Sequence, residues 1–347
     1  MIAPDPGPRR AAHARWIAAG RPPGGPSLDV LAISNGGAHG AFAAGLLAGW
    51  TEAGGRPPFE VVTGVSIGAL IAPFAFVGPG WDGTLEQAFT RVGRPDLGRL
   101  DLAAALRGAL GLVSPARLRA RIAELVDARL IEAIATEHRL GRRLLVGTTN
   151  LDAGRPVVWD LGALAARGEA ALLRAVLLAS AAVPGALPPV PVEVECEGRR
   201  CVELHADGAL TRTTLTGGIE AARDSPALAA TLWVIQNNAL LPGYEPVRPS
   251  IRAVAARALT TLIRRKGDAD LVAAWLAARE GGAAFRLAFL PPGHRGGAMS
   301  NRSAASMSAL FETGRAQALR SGGWLGRPPA LMDRRDLAPA PATGPAR

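Results

Sequence analysis

Ser66 stands at the centre of the string Gly64-Val65-Ser66-Ile67-Gly68, between an apolar stretch "FEVV" and a second one, "ALIAPFAF". A serine hydroxyl in that position becomes a nucleophile where a strand stops abruptly and a helix starts at once, because the sharp bend lifts the side chain clear of the backbone. Small residues two positions to either side keep such a bend free of clashes. The helix beyond it offers unpaired N–H groups and a partial positive charge to a developing oxyanion. In a chain with 42 glycines the same string also serves as a plain connector, so it does not decide the chemistry by itself.

Two further elements supply what acyl transfer needs. "SNGGAHG" contains Asn35, Gly36, Gly37, Ala38, His39 and Gly40. Its glycines let the main chain approach a substrate and aim amides at a tetrahedral intermediate, while the helix that follows adds its dipole. Glycine loops after a first strand also hold phosphates, but two checks for that reading fail. A P-loop needs a lysine in the loop, and Lys266 is the only lysine of the chain. A dinucleotide fold closes its second strand with an acid, whereas here that strand carries Glu60 at its start and ends apolar. The third element, "HADGAL", puts Asp207 at a strand end before Gly208 and Ala209, so that its carboxylate projects from the sheet edge. An ordinary Asp-Gly turn has the same sequence.

In this order the three elements resemble the patatin-like phospholipases, which combine a Gly-Gly-Gly-x-Arg/Lys-Gly oxyanion loop, a Gly-x-Ser-x-Gly elbow and a late Asp-Gly-Gly/Ala motif. The corresponding positions are Asn35 to Gly40, Gly64 to Gly68 and Asp207 to Ala209, and "ASAAVPGALPPV" is similar to the segment that precedes the family's aspartate. The resemblance spans residues 28–320. It implies a three-layer α/β/α fold with a central, mostly parallel sheet. It also implies that Ser66 attacks a lipid acyl ester, Asp207 takes the serine proton, and the Gly36 and Gly37 amides hold the oxyanion, with no cofactor. Asn35 stands where the family usually has its first glycine and His39 where it has a basic residue. Asparagine tolerates left-handed backbone well, and His39 keeps a donor that is charged only at lower pH.

A free aspartate has a pKa of about 3.9 and is a weak base, so the mechanism requires burial that raises it. The enzymatic alternative is a Ser–His–Asp esterase. Among His13, His39, His138, His205 and His294, the chain order of such hydrolases selects His294 in "PPGHRGG". His205, two residues before Asp207, shares its strand face and is expected to form hydrogen bonds there. A third reading is a lipid-binding protein of the same fold without turnover, favoured only by Asn35 and His39. "ALIAPFAF" and "LLASAAVPGALPPV" suit the walls of an acyl cleft, although core packing explains them equally.

The elements that must position these residues follow from periodicity. "SLDVLAIS" and "FEVVTGV" read as buried strands around the helix "AFAAGLLAGWTEA", which argues for parallel strands with helices against them. Residues 83–137 are mostly helical. "RLLVGTTN" and "RPVVWDL" form strands joined by "LDAG", the helix "EAALLRAVLLASAA" follows, and "VPVEVEC" with "CVELHA" makes a hairpin. "TLWVIQN" and "FRLAFLP" complete a mixed sheet. In "IRAVAARALTTLIRR" an apolar stripe through Ile251, Val254, Ala255, Ala258, Leu259 and Leu262 is expected to pack on the sheet, with an anionic membrane surface as the alternative.

Composition bounds the rest. Proline- and glycine-rich ends set residues 1–26 and 326–347 apart as flexible tails around one domain, 27–325. The net charge of +10 is almost wholly arginine, scattered along helices with few aromatics, which argues against nucleic acid and leaves peripheral contact with an anionic membrane open. No apolar run reaches the roughly 18 residues of a membrane span, and no apolar signal region follows the first arginines, so a cytoplasmic or membrane-peripheral location is expected. There is no metal-ligand cluster, so neither zinc nor calcium is indicated. Cys196 and Cys201 flank the hairpin turn; two reduced thiols are expected in a cytoplasmic protein, a cross-strand disulfide being the alternative.

Overall fold

β1 (Ser27–Ile33) is buried from Leu28 onward, Asp29 included, and its apolar run Val30–Ile33 is that of a central strand covered on both faces. The computed structural model describes residues 26–90 and 114–332, apart from 197, 225–227, 241–243, 245, 292–302 and 321–322, together with Ala14. The N-terminal tail, most of the C-terminal tail, His13 and His294 lie outside the described residues.

β1 pairs in parallel with β2 (Val61–Val65) on one side and β7 (Ala229–Gln236) on the other. β3 (Arg143–Asn150) extends the parallel set beyond β2, and β8 (Ala284–Phe289) extends it beyond β7. Antiparallel β4 (Arg155–Asp160) and β6 (Arg199–Asp207) both pair with β3, and β5 (Val190–Cys196) pairs with β6. The order is β5-β6-β3-β2-β1-β7-β8. Cys201 lies opposite Val194 in the hairpin and carries a free thiol.

The register of β3 explains how two distant residues meet. Leu145 to Gly147 pair with both β2 and β4, so those strands occupy opposite edges of β3. Thr148 to Asn150 pair with both β4 and β6. β2 and β6 therefore share one edge and run toward each other along it. Val65 ends opposite Gly147, and Asp207 ends opposite Thr148, the next residue.

One face of the sheet is covered by α1 (Gly40–Glu52), α2 (Ile67–Val77), α3 (Asp82–Thr90), α4 (Ala116–Leu125), α5 (Ala128–Arg139), α6 (Leu161–Ala166) and α7 (Ala170–Ser180). The other face is covered by α8 (Ile251–Glu280) and a turn at Ile219–Asp224, which bury Leu271, Ala274, Ala278 and Ile219 against Val30, Leu232 and Leu287. A last helix, α9 (Ala304–Ala318), returns to the first face with Met307, Leu310 and Phe311. This is the three-layer α/β/α arrangement around a mostly parallel sheet.

Three features differ from expectation. α6 follows β4 directly, started by Asp160, whose carboxylate accepts from the Ala163 amide at 2.9 Å. α8 runs 30 residues and packs by its second half, not by its first. Ile251, Val254 and Leu262 of the expected core stripe are exposed. Packed chain also continues past residue 325 to a turn at Pro329–Leu331, where Pro329 is buried.

α1 and α9 approach closely enough that backbones touch. A methyl group built on Gly45 would collide with the Phe311 carbonyl, and one on Gly314 with the Phe42 carbonyl. Larger side chains there force the helices apart. Gly314→Val is expected to cost about 1–3 kcal/mol, read as a lower urea midpoint with an unchanged slope.

Candidate active site

Ser66 sits at the apex between β2 and α2 with φ 58 and ψ −123, the one non-glycine residue of positive φ among the described residues. Such a backbone costs about 1–3 kcal/mol and persists only where its surroundings fix it. Two glycines make the bend possible. A methyl on Gly64 would strike the Gly68 backbone, and one on Gly68 would strike the Ile33 and Ser34 carbonyls. The bend is also tied down: the Ser66 amide donates to Ser180 Oγ at 2.9 Å, and that hydroxyl donates to the Gly147 carbonyl at 2.7 Å. Ser180 was not singled out from sequence; its signal is a fully buried serine closing the apolar helix α7.

Asp207 closes β6 beside this apex. Its Oδ2 accepts from Ser66 Oγ at 2.6 Å, and its Oδ1 accepts from the Ala209 amide at 2.8 Å. The Asp207 amide donates to the Ala182 carbonyl at 2.9 Å, and its carbonyl accepts from Thr149 Oγ1 at 3.0 Å. Gly208 lies so near the Gly147 carbonyl that a methyl there would clash. Asp207 is 2 % exposed, and this burial pushes its pKa up from 3.8 to about 6, against the opposing pull of the Ser66 and Ala209 hydrogen bonds. The carboxylate is thus a stronger base than a solvated one.

The loop from Asn35 to Gly40 forms a 3-10 turn at Gly37–His39, with Gly37 at φ 55, and leads into α1. Ala38 is buried, and the His39 amide donates to the Gly36 carbonyl at 3.1 Å. The loop abuts the elbow helix, because a methyl on Gly40 would strike the Ile67 side chain. Its other end is fastened to the end of β7. The Asn237 amide donates to Ser34 Oγ at 3.0 Å, Asn237 Nδ2 to the Ser34 carbonyl at 2.9 Å, and Asn238 Nδ2 to the Asn35 carbonyl at 3.2 Å. Asn237 and Asn238 also escaped the sequence analysis; two amide side chains closing an apolar strand are the visible sign.

The remaining candidates fall in place around this centre. His205 is fully buried, its Nδ1 2.9 Å from Thr148 Oγ1 and its Nε2 3.2 Å from Glu203 Oε2, so it does form hydrogen bonds on that strand. His138 lies beside Asp160. Of "ALIAPFAF" only Leu70 is partly exposed, the other residues belonging to the core; an apolar wall from this helix is reduced to Ile67 and Leu70. Val183 and Pro184, next to the Ala182 that holds Asp207, are half-buried. Among the described residues no group of three His, Cys, Asp or Glu is placed to hold a metal ion, and no helix is long and apolar enough to cross a membrane.

A hydroxyl that donates to a desolvated carboxylate at a helix N-terminus, beside a glycine loop, is equipped for nucleophilic attack on a carbonyl. The family model for patatin-like phospholipase matches residues 31–217, from β1 through the elbow and past Asp207. A search of curated proteins found no match. Among solved structures the chain is similar to VipD from Legionella pneumophila, with 10% identity and a TM-score of 0.44 over 84% of this chain and 66% of that one. It therefore spans slightly less than two thirds of that protein, and so distant a likeness carries no weight on function. Matched to the family model over more than half of its 347 residues, the chain belongs to the patatin-like phospholipase family.

Proposed function

We propose that the protein is a serine acyl hydrolase that cleaves lipid esters, with Ser66 as nucleophile and Asp207 as its base. The observation that carries this reading is the 2.6 Å contact between Ser66 Oγ and Asp207 Oδ2. It leaves no space for an imidazole between the two, which argues against a Ser–His–Asp relay. As Ser66 Oγ bonds to the ester carbonyl carbon, its proton passes to Asp207 and the carbonyl oxygen becomes an oxyanion. The Gly36 and Gly37 amides and the N-terminus of α2 stabilise that charge. Protonated Asp207 then gives its proton to the departing alkoxide, leaving an acyl-serine. A water molecule, deprotonated by the same carboxylate, attacks the acyl carbon and releases the fatty acid with Ser66 restored.

The work of each group sets its place. Asp207 must be basic enough to take a proton, which burial supplies, and must keep its orientation as it does so. The Ala209 amide on Oδ1 leaves Oδ2 directed at Ser66. Ser180 holds the Ser66 amide and so fixes the strained apex, acting as a positioning residue.

A panel of phospholipid and short-chain esters tests the reading. Ser66→Ala and Asp207→Asn are each expected to lower kcat/KM on the order of 10⁴-fold or more, and near-normal turnover in either would overturn it. Only the carboxylate form of Asp207 accepts a proton. The kcat/KM of the wild type should therefore be level above pH about 6 and fall about tenfold per unit below it. Stability should move the opposite way. The folded pKa of Asp207 lies above its unfolded value, so this contribution is complete below 3.8 and is lost as pH rises through about 6. Asp207→Asn is then expected to gain about 2–3 kcal/mol on the wild type between about pH 4 and pH 8, measured by urea unfolding at both.

A further inference from the structure

α8 is longer than the sheet it covers. Its second half lies along β7: Gly267 packs beside the Gln236 amide at the C-terminal end of β7, and the Ala283 amide donates to Ala278 just before β8 begins opposite Thr231. Residues 251–266 therefore extend about 24 Å beyond the C-terminal edge of the sheet, at 1.5 Å per residue. That edge is the one where Ser66 follows Val65 and where Ser34 and Asn237 meet, since β1, β2 and β7 run parallel.

The overhanging half has an apolar stripe of its own, on the wrong side for packing. At about 100° per residue, Ile251, Val254, Ala255, Ala258 and Leu262 fall within one narrow sector. Leu271, Ala274 and Ala278, which face the core, lie roughly opposite. The outward residues are open to solvent, with Ile251 at 90%, Leu262 at 69% and Val254 at 54%, and Tyr244 just before the helix at 96%. Residues 251–267 contain four arginines, one lysine and no acid; Asp268 is the first carboxylate. Arg265 is exposed within the sector of the stripe, 3.4 Å from Asp268, and Arg264 is exposed about 80° outside it.

We propose that Tyr244 and residues 246–266 seat the protein on an anionic phospholipid surface, the apolar stripe entering the acyl boundary and Arg264 and Arg265 meeting the headgroup phosphates. Apolar side chains flanked by cations, with no acid among them, match a negatively charged interface of lipid better than nucleic acid, which offers nothing to Ile251, Val254 and Leu262. Charge is equally ill suited to a second copy of this chain, whose net charge is also +10. Seating by this overhang would hold the protein at a surface made of lipid esters. That purpose rests on the function proposed above, whereas adsorption itself requires no catalysis.

The test is flotation of the full-length Ser66→Ala protein with vesicles of phosphatidylglycerol and phosphatidylcholine in equal parts, against phosphatidylcholine alone, at physiological ionic strength. The partition coefficient should be at least about tenfold higher on the anionic vesicles. It should fall to the neutral value in Val254→Asp/Leu262→Asp and in Arg264→Glu/Arg265→Glu, each shown to be folded by circular dichroism. Absence of vesicle binding overturns the proposal, as does binding that both double variants retain. Self-association in solution that Val254→Asp/Leu262→Asp abolishes, without vesicle binding, assigns the stripe to a second copy and also overturns it. Vesicle binding by a wild type that hydrolyses no ester would leave the seating intact and refute only the catalytic reading.

Discussion

A carboxylate shut away from water is expensive to keep charged, and the centre of this molecule is organised around one. Asp207 has given up nearly all its solvent and has in return two donors, the Ser66 hydroxyl and the Ala209 amide. These hydrogen bonds favour the ionised form but do not cancel the loss of hydration, so the pKa stays well above that of a free aspartate. The resulting carboxylate is ionised near neutrality and still ready to accept a proton. Removing either donor would leave a buried, half-satisfied charge, which explains why the surrounding backbone is so closely specified.

That specification comes from strand register. β2 and β6 approach each other along one edge of β3, and their ends leave Ser66 and Asp207, 141 positions apart in the chain, face to face. The strained φ of Ser66 is held by Ser180, which anchors the apex to β3, while Gly64 and Gly68 let the bend press against the end of β1. The loop at Asn35 to Gly40 is fixed from its far side by Asn237 and Asn238. The Ser66 bend, Asp207 and the loop are thus parts of the same sheet edge, tied to one another through β1, β3 and β7.

Local chemistry was legible in the residues. The glycine pair around Ser66, the loop at Gly36 and Gly37, and the Asp-Gly turn each have a reason that depends on a few neighbours, and apolar runs marked all eight strands of the sheet that carries them. What depended on tertiary placement was not legible. Ser180 looks like any small residue in an apolar helix until Gly147 and Ser66 are seen on either side of it. The stripe in α8 has a helical period, but periodicity does not say which side faces a sheet. Only the position of Gly267 against the end of β7 shows that the first half of α8 overhangs. α6 was hidden because six residues are too few to display a period, and its start is marked only by the Asp160 cap.

The central claim is that Asp207 makes Ser66 nucleophilic, and the reaction of Ser66 with a fluorophosphonate measures that most directly. Mass spectrometry of the full-length protein should find the adduct on Ser66, with a labelling rate that rises through pH about 6 and is lost in folded Asp207→Asn. An unmodified Ser66, or labelling in Asp207→Asn as fast as in the wild type, would contradict it.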